Sequence, residues 1–130
     1  MAQTCGDWEL IVVDDGSTDG SKEVVEQITD SRIHIIHQKN TGVGAARNRG
    51  VAASSAPHIC FLDADDWWEA TFLEEMAGLT AKYPNAGIYG TGYYIVKNGR
   101  KRIAPIGVDS DFTEGEINYC RVFLRTRCNS

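Results

Sequence analysis

The sequence predicts an α/β domain with a doubly wound, mostly parallel sheet flanked by helices, and three observations predict it. Apolar runs rich in β-branched residues alternate with stretches of helical period. Two of these runs, Leu10-Ile11-Val12-Val13 and Ile59-Cys60-Phe61-Leu62, end in the acidic clusters Asp14-Asp15-Gly16-Ser17 and Asp63-Ala64-Asp65-Asp66. A continuous apolar run is the mark of a strand buried on both faces, as strands of a parallel sheet are. Ligands of open α/β sheets sit beyond the carboxyl ends of the strands, so both acidic clusters are expected to open onto one crevice.

The elements follow in order. A strand near 9–14 leads through Gly16 to a helix near 18–29, where Val24, Val25 and Ile28 make one apolar stripe and Ser17 or Thr18 is the expected N-cap. A strand near 32–37 and a helix near 43–54 come next, then a strand near 58–62 and a helix near 69–82 carrying Phe72, Leu73, Met76 and Leu79 on one face. Tyr83-Pro84 stops that helix. Gly87 to Val96 reads as a longer strand running into Asn98-Gly99, a strong hairpin signal, with a return strand near 100–106. Thr113 and Glu116 form a capping box that opens a last helix through Ile117, Tyr119, Cys120, Phe123 and Leu124.

With 130 residues, 24% charged and 42% hydrophobic, the chain has the composition of one ordinary globular domain, able to bury roughly two thirds of its unfolded surface. A net charge of −5 argues against nucleic-acid binding, which draws on clustered Lys and Arg. The basic cluster Lys97, Arg100, Lys101 and Arg102 surrounds the hairpin turn and reads as solvated, with an anionic partner as the alternative. Cys5, Cys60, Cys120 and Cys128 show no C-x-x-C spacing and no signal peptide precedes them, so a reduced, cytoplasmic setting is expected, with Cys60 in the core. No apolar segment reaches the roughly 18 residues of a membrane span, which leaves peripheral attachment open.

The carboxylates carry the chemistry. Asp63 and Asp65 stand two apart just past a strand, with Asp66 adjacent. Hard divalent cations are commonly held by one or two carboxylates plus substrate phosphates, so this pair suits a metal carrying a diphosphate. The plainer alternative makes Asp65 and Asp66 caps of the following helix. Asp14 and Asp15 can accept hydrogen bonds from a base N–H or from ribose hydroxyls. Between the two clusters, Asn40-Thr41-Gly42-Val43-Gly44-Ala45-Ala46-Arg47-Asn48-Arg49-Gly50 opens a helix whose small residues allow close packing, and Arg47 can offer its fork to a phosphate. His34, His37 and His58 have no ligand-like spacing and read as structural. Trp67 and Trp68 read as packing or a hydrophobic staple, with stacking on a ligand as the alternative.

These three segments, Trp8 to Asp19, Asn40-x-Gly42-x-x-x-Ala46-Arg47-Asn48-x-Gly50 and Phe61 to Asp66, occur in the order and spacing of family 2 glycosyltransferases of GT-A fold. The chain resembles the nucleotide-sugar-binding half of one, from about Gln3 to Ser130. The resemblance implies a partial GT-A-like, Rossmann-like sheet and transfer of a sugar from a nucleoside diphosphate donor, UDP by family habit, to a saccharide or lipid-linked hydroxyl acceptor. It implies a donor site made by Asp14, Asp15, Arg47, Asn48 and Asp63, with Asp15 on the base and Asp63 near the ribose. Asp65, with Asp63, would hold Mn²⁺ or Mg²⁺. It also implies that the family's first strand and helix precede this chain and that its catalytic base lies beyond Ser130. The absent strand would lie between those ending at Asp15 and Asp63, so self-association or strand exchange that fills the gap is expected.

Two other readings stand beside this one. A phosphorelay receiver also pairs acids after one strand with an Asp two strands later, as Asp14, Asp15 and Asp63 do, and Thr91 falls where its hydroxyl would. It needs a Lys before a late Pro, and Ala104 precedes Pro105 here. The second is an inactive fragment that binds nucleotide or only self-associates.

Overall fold

The computed structural model describes residues 3–104, which fall into two compact units, one up to Thr71 and one from Phe72 onward. The capping box at Thr113 and the last helix lie outside the described residues.

In the first unit, β1 (Leu10–Asp14) and β2 (Ile33–His37) form a parallel ladder. Its register sets Leu10 against Ile33 and brings Asp14 opposite His37. The β-branched residues of both strands suit such a pleated, half-buried surface. Helix α1 (Ser21–Glu26) connects them, and α2 (Val43–Ala53) packs on β1. The small-residue expectation for α2 holds at Gly50, where a Cβ would sit 3.6 Å from a methyl of Val13. The far end of α2 is tied to the start of β1 by one carboxylate oxygen. Oε1 of Glu9 accepts from the Ser55 and Ala56 backbone N–H at 2.9 and 3.1 Å and from the Ser54 and Ser55 hydroxyls, both at 3.1 Å. At the same edge the Arg32 guanidinium lies 3.7 Å over the Trp8 ring and grips Asp30.

Five expectations for this unit need correction. Helix α1 is shorter than the predicted 18–29, because Gly20, at φ 87°, is its N-cap and Ser17 is drawn back by Asp14. Neither Ser17 nor Thr18 caps it. The apolar stripe on α1 is only partly covered, with Val24 65% and Ile28 45% exposed. Residues 58–62 form no strand, since no neighbouring strand among the described residues supplies ladder partners. Cys60 is accordingly exposed rather than in a core, although partial desolvation still raises its thiol pKa.

In the second unit, α3 (Phe72–Lys82) buries Met76, and Glu74, Glu75 and Lys82 sit at the helix ends that favour their charges. Phe72, Leu73 and Leu79 are half-buried on the predicted face. The hairpin of β3 (Tyr94–Lys97) and β4 (Arg100–Ile103) turns at Asn98 and Gly99, whose φ values of 51° and 72° are the pair a tight I′-type turn requires. β3 is shorter than predicted, with 87–93 outside the ladder. The four basic residues of the hairpin are exposed, as read from the sequence.

Candidate functional site

Both acids at the end of β1 are hydrogen-bonded. Asp14 Oδ1 accepts the Ser17 N–H at 2.8 Å, and Oδ2 lies 3.0 Å from His37 Nδ1. The other ring nitrogen of His37 is 3.2 Å from Glu26 Oε1, so this side chain links the ends of β1, β2 and α1. The hydrogen bonds from Ser17, followed by those from His37, hold the Asp14 carboxyl down at about 2. A carboxyl lowered on folding stabilises above its unfolded pKa of about 4, and that contribution is lost as pH falls toward 2. Asp14→Asn is therefore expected to flatten the acid limb of the stability curve between roughly pH 4 and pH 2 relative to the wild-type chain, read by urea melts across that window. Parallel curves would show that Asp14 titrates alike in both states.

Asp15 is half-buried and reaches across to the segment between β2 and α2. Its Oδ1 accepts from Gln38 Nε2 at 2.7 Å, the Thr41 N–H at 2.9 Å and the Thr41 hydroxyl at 3.2 Å; Oδ2 accepts the Gly42 N–H at 2.8 Å. These bonds, that from Gln38 foremost, lower the Asp15 pKa. Glycine at 16 allows the approach: its φ is +79°, and a Cβ there would stand 3.0 Å from the Asn40 nitrogen.

The second cluster meets α2. Arg47, in the second turn of that helix, donates from Nη2 to Asp63 Oδ1 at 2.8 Å, and its guanidinium lies 5.9 Å from the Phe61 ring centroid. Both partners are half open to solvent. Asn48 and Asp65 are exposed, and a turn from the Asp66 N–H to the Asp63 carbonyl at 3.0 Å fixes the backbone of the cluster. Asp65 and Asp66 are not helix caps, because α3 begins only at Phe72. Helix α2 thus joins the clusters: Asp15 holds the loop before it, and Arg47 within it holds Asp63. Among the described residues, no three His, Cys, Asp or Glu side chains gather as a metal cage.

The sequence reading named Asp14, Asp15, Arg47, Asn48, Asp63 and Asp65 but passed over Gln38, Thr41 and His37 as parts of the same network. The available signal was the polar His37-Gln38 pair where this strand ends, beside the acid pair.

The sequence profile of Glycosyl transferase family 2 matches residues 1–127. The chain belongs to this family. Family 2 membership gives the fold as GT-A, a Rossmann-like α/β architecture, and decides against the receiver reading. Among curated relatives, the chain is 43% identical over 76 residues to the putative glycosyltransferase EpsH of Bacillus subtilis (strain 168), covering 57% of this chain and 22% of that protein. It is 35% identical over 107 residues to the uncharacterized glycosyltransferase EpsJ of the same strain, covering 81% and 31%. It is 36% identical over 109 residues to the UDP-Glc:alpha-D-GlcNAc-diphosphoundecaprenol beta-1,3-glucosyltransferase WfgD of Escherichia coli, covering 81% and 43%. The chain therefore spans less than half the length of these relatives. No solved structure matches it significantly. No helix among the described residues of this family 2 chain is long and apolar enough to cross a membrane.

Proposed function

We propose that this chain carries the donor-nucleotide site of an inverting, metal-assisted glycosyltransferase, which moves a sugar from a nucleoside diphosphate, UDP foremost, to a hydroxyl of a saccharide or lipid-linked acceptor. The observation that carries the proposal is the convergence on α2, where Asp15 fixes the loop before the helix and Arg47 pairs with Asp63 at 2.8 Å. The activity for which WfgD is named, with its UDP-linked donor and diphosphate-lipid acceptor, supports the choice of ligand class.

In this reading Asp14 and Asp15 shape the base end of the site, Asp63 faces the ribose, and Arg47 and Asn48 line the pocket. Asp63 and Asp65 would hold Mn²⁺ or Mg²⁺. The residues fit such an ion: Asp65 is exposed, and these cations commonly take only one or two protein carboxylates when substrate phosphates complete their shell, so no three-residue cage is required. The ion, when bound, supplies positive charge against the departing diphosphate. Arg47 contributes in the same sense. Its exposed ion pair with Asp63 is weakly held, and the guanidinium can turn to a phosphate oxygen, where a bidentate charge-assisted pair is stronger. No catalytic base is assigned to the chain. A cytoplasmic setting, with Cys5 and Cys60 as free thiols, and self-association supported by the exposed Ile59, Phe61 and Leu62, belong to the same proposal.

The test is to locate the metal–nucleotide complex by the line broadening that bound Mn²⁺ with UDP produces in the amide spectrum of the labelled chain. Broadening centred on residues 63–66 and reaching Arg47 is expected. Broadening centred on the basic hairpin at 97–102 would refute the assignment.

A further inference from the structure

The Asp15 carboxylate offers about four lone-pair positions. Its Oδ1 accepts three bonds and its Oδ2 one, so the remaining acceptor direction belongs to Oδ2. The three donors on Oδ1 are not independent. Gln38 Nε2 donates to Asp15 Oδ1 at 2.7 Å and to the Thr41 hydroxyl at 2.8 Å, and that hydroxyl donates its own proton to Asp15 Oδ1. The two amide hydrogens of Gln38 and the single hydroxyl hydrogen of Thr41 are thereby all used in a closed triangle, which fixes the rotation of the carboxylate. Two backbone N–H groups alone, from Thr41 and Gly42, would leave a carboxylate on a surface loop freer to turn.

We propose that Gln38 and Thr41 are positioning residues for nucleotide selection: they saturate Oδ1 of Asp15 and present the open lone pair of Oδ2 to a base whose ring nitrogen carries a hydrogen. Uracil meets this condition through its N3–H. Cytosine does not, because its N3 is an acceptor and would face a carboxylate oxygen across an unpaired contact, the mismatch that a site built for a donor rejects most strongly. The inference rests on the reading that Asp15 faces the base. It adds that the preference for a donor base is set by two side chains that do not themselves touch the ligand.

The experiment is calorimetric titration of the purified chain with UDP and with CDP, both with Mn²⁺, comparing wild type with Gln38→Leu, Thr41→Val and Thr41→Ser. Wild type is expected to prefer UDP by at least about tenfold. In Gln38→Leu and Thr41→Val that preference should shrink to within about twofold of unity, with the change carried by UDP and little movement in CDP. Thr41→Ser, which keeps the hydroxyl, should retain the preference. Thr41→Val removes one oxygen only and keeps the test sound should Gln38→Leu fail to fold. A wild-type chain that prefers UDP, with variants that keep its preference or lose both nucleotides in proportion, overturns the positioning role and leaves the donor site standing. A wild-type chain that binds both nucleotides equally overturns the placement of Asp15 on the base, and this inference with it.

Discussion

Asp65→Ala is expected to abolish Mn²⁺-dependent UDP binding while leaving the folded chain unchanged. Asp65 is exposed and α3 begins well after it, so removing its carboxylate deprives no helix of a cap. A substitution at an exposed position free of packing or capping duties leaves stability nearly untouched. The metal is another matter. Where even residues supporting a ligand change metal affinity by about 10–100-fold, loss of Asp65, one of the two carboxylates proposed to hold the ion, should weaken nucleotide binding by at least about a hundredfold. Asp63→Ala should abolish the same binding with an added effect, because it strips Arg47 of its partner. Calorimetry with a melting curve for each variant separates the cases, and Asp65→Ala binding UDP as wild type does would move the metal away from this cluster.

Asp15→Ala should weaken UDP by about tenfold or more yet spare the association of Mn²⁺ and inorganic pyrophosphate, which has no base to recognise. The carboxylate takes four hydrogen bonds from the segment 38–42, two of them from backbone N–H groups that would have to find water once it is gone. The loop before α2 then loses its anchor on β1, while Arg47, Asp63 and Asp65 keep their places. Parallel titrations with UDP and with pyrophosphate, each with Mn²⁺, measure the difference. Equal loss of both ligands would mean that Asp15 supports the whole site rather than its base end.

Much of this was legible in the sequence because it depends on local chemistry. The runs at 10–14 and 33–37 are rich in β-branched residues, and both are strands of a parallel ladder, the type of sheet expected. Asn98-Gly99 requires two positive φ values and has them. Helix α2, Val43–Ala53, lies close to the predicted 43–54. The departures come from what sequence periodicity does not contain. An apolar run such as 58–62 becomes a strand only when a neighbour supplies hydrogen bonds, and burial of Cys60 depends on the same neighbour. Helix α1 starts later than predicted because the Asp14 carboxylate ties Ser17 into a turn and Gly20, at φ 87°, becomes the N-cap. The network of Gln38, Thr41 and His37 was missed because it follows from register: once Asp14 lies opposite His37, the residues just beyond the ladder meet the acid pair, and no spacing along the chain announces that.

The two acidic clusters, joined through α2, are proposed to form a metal-dependent nucleotide site. Its most direct test is the heat of UDP binding to the wild-type chain in Mn²⁺ and again after chelation. Binding that appears with the metal and disappears with chelation is the predicted result; UDP binding of equal strength in both conditions would contradict it.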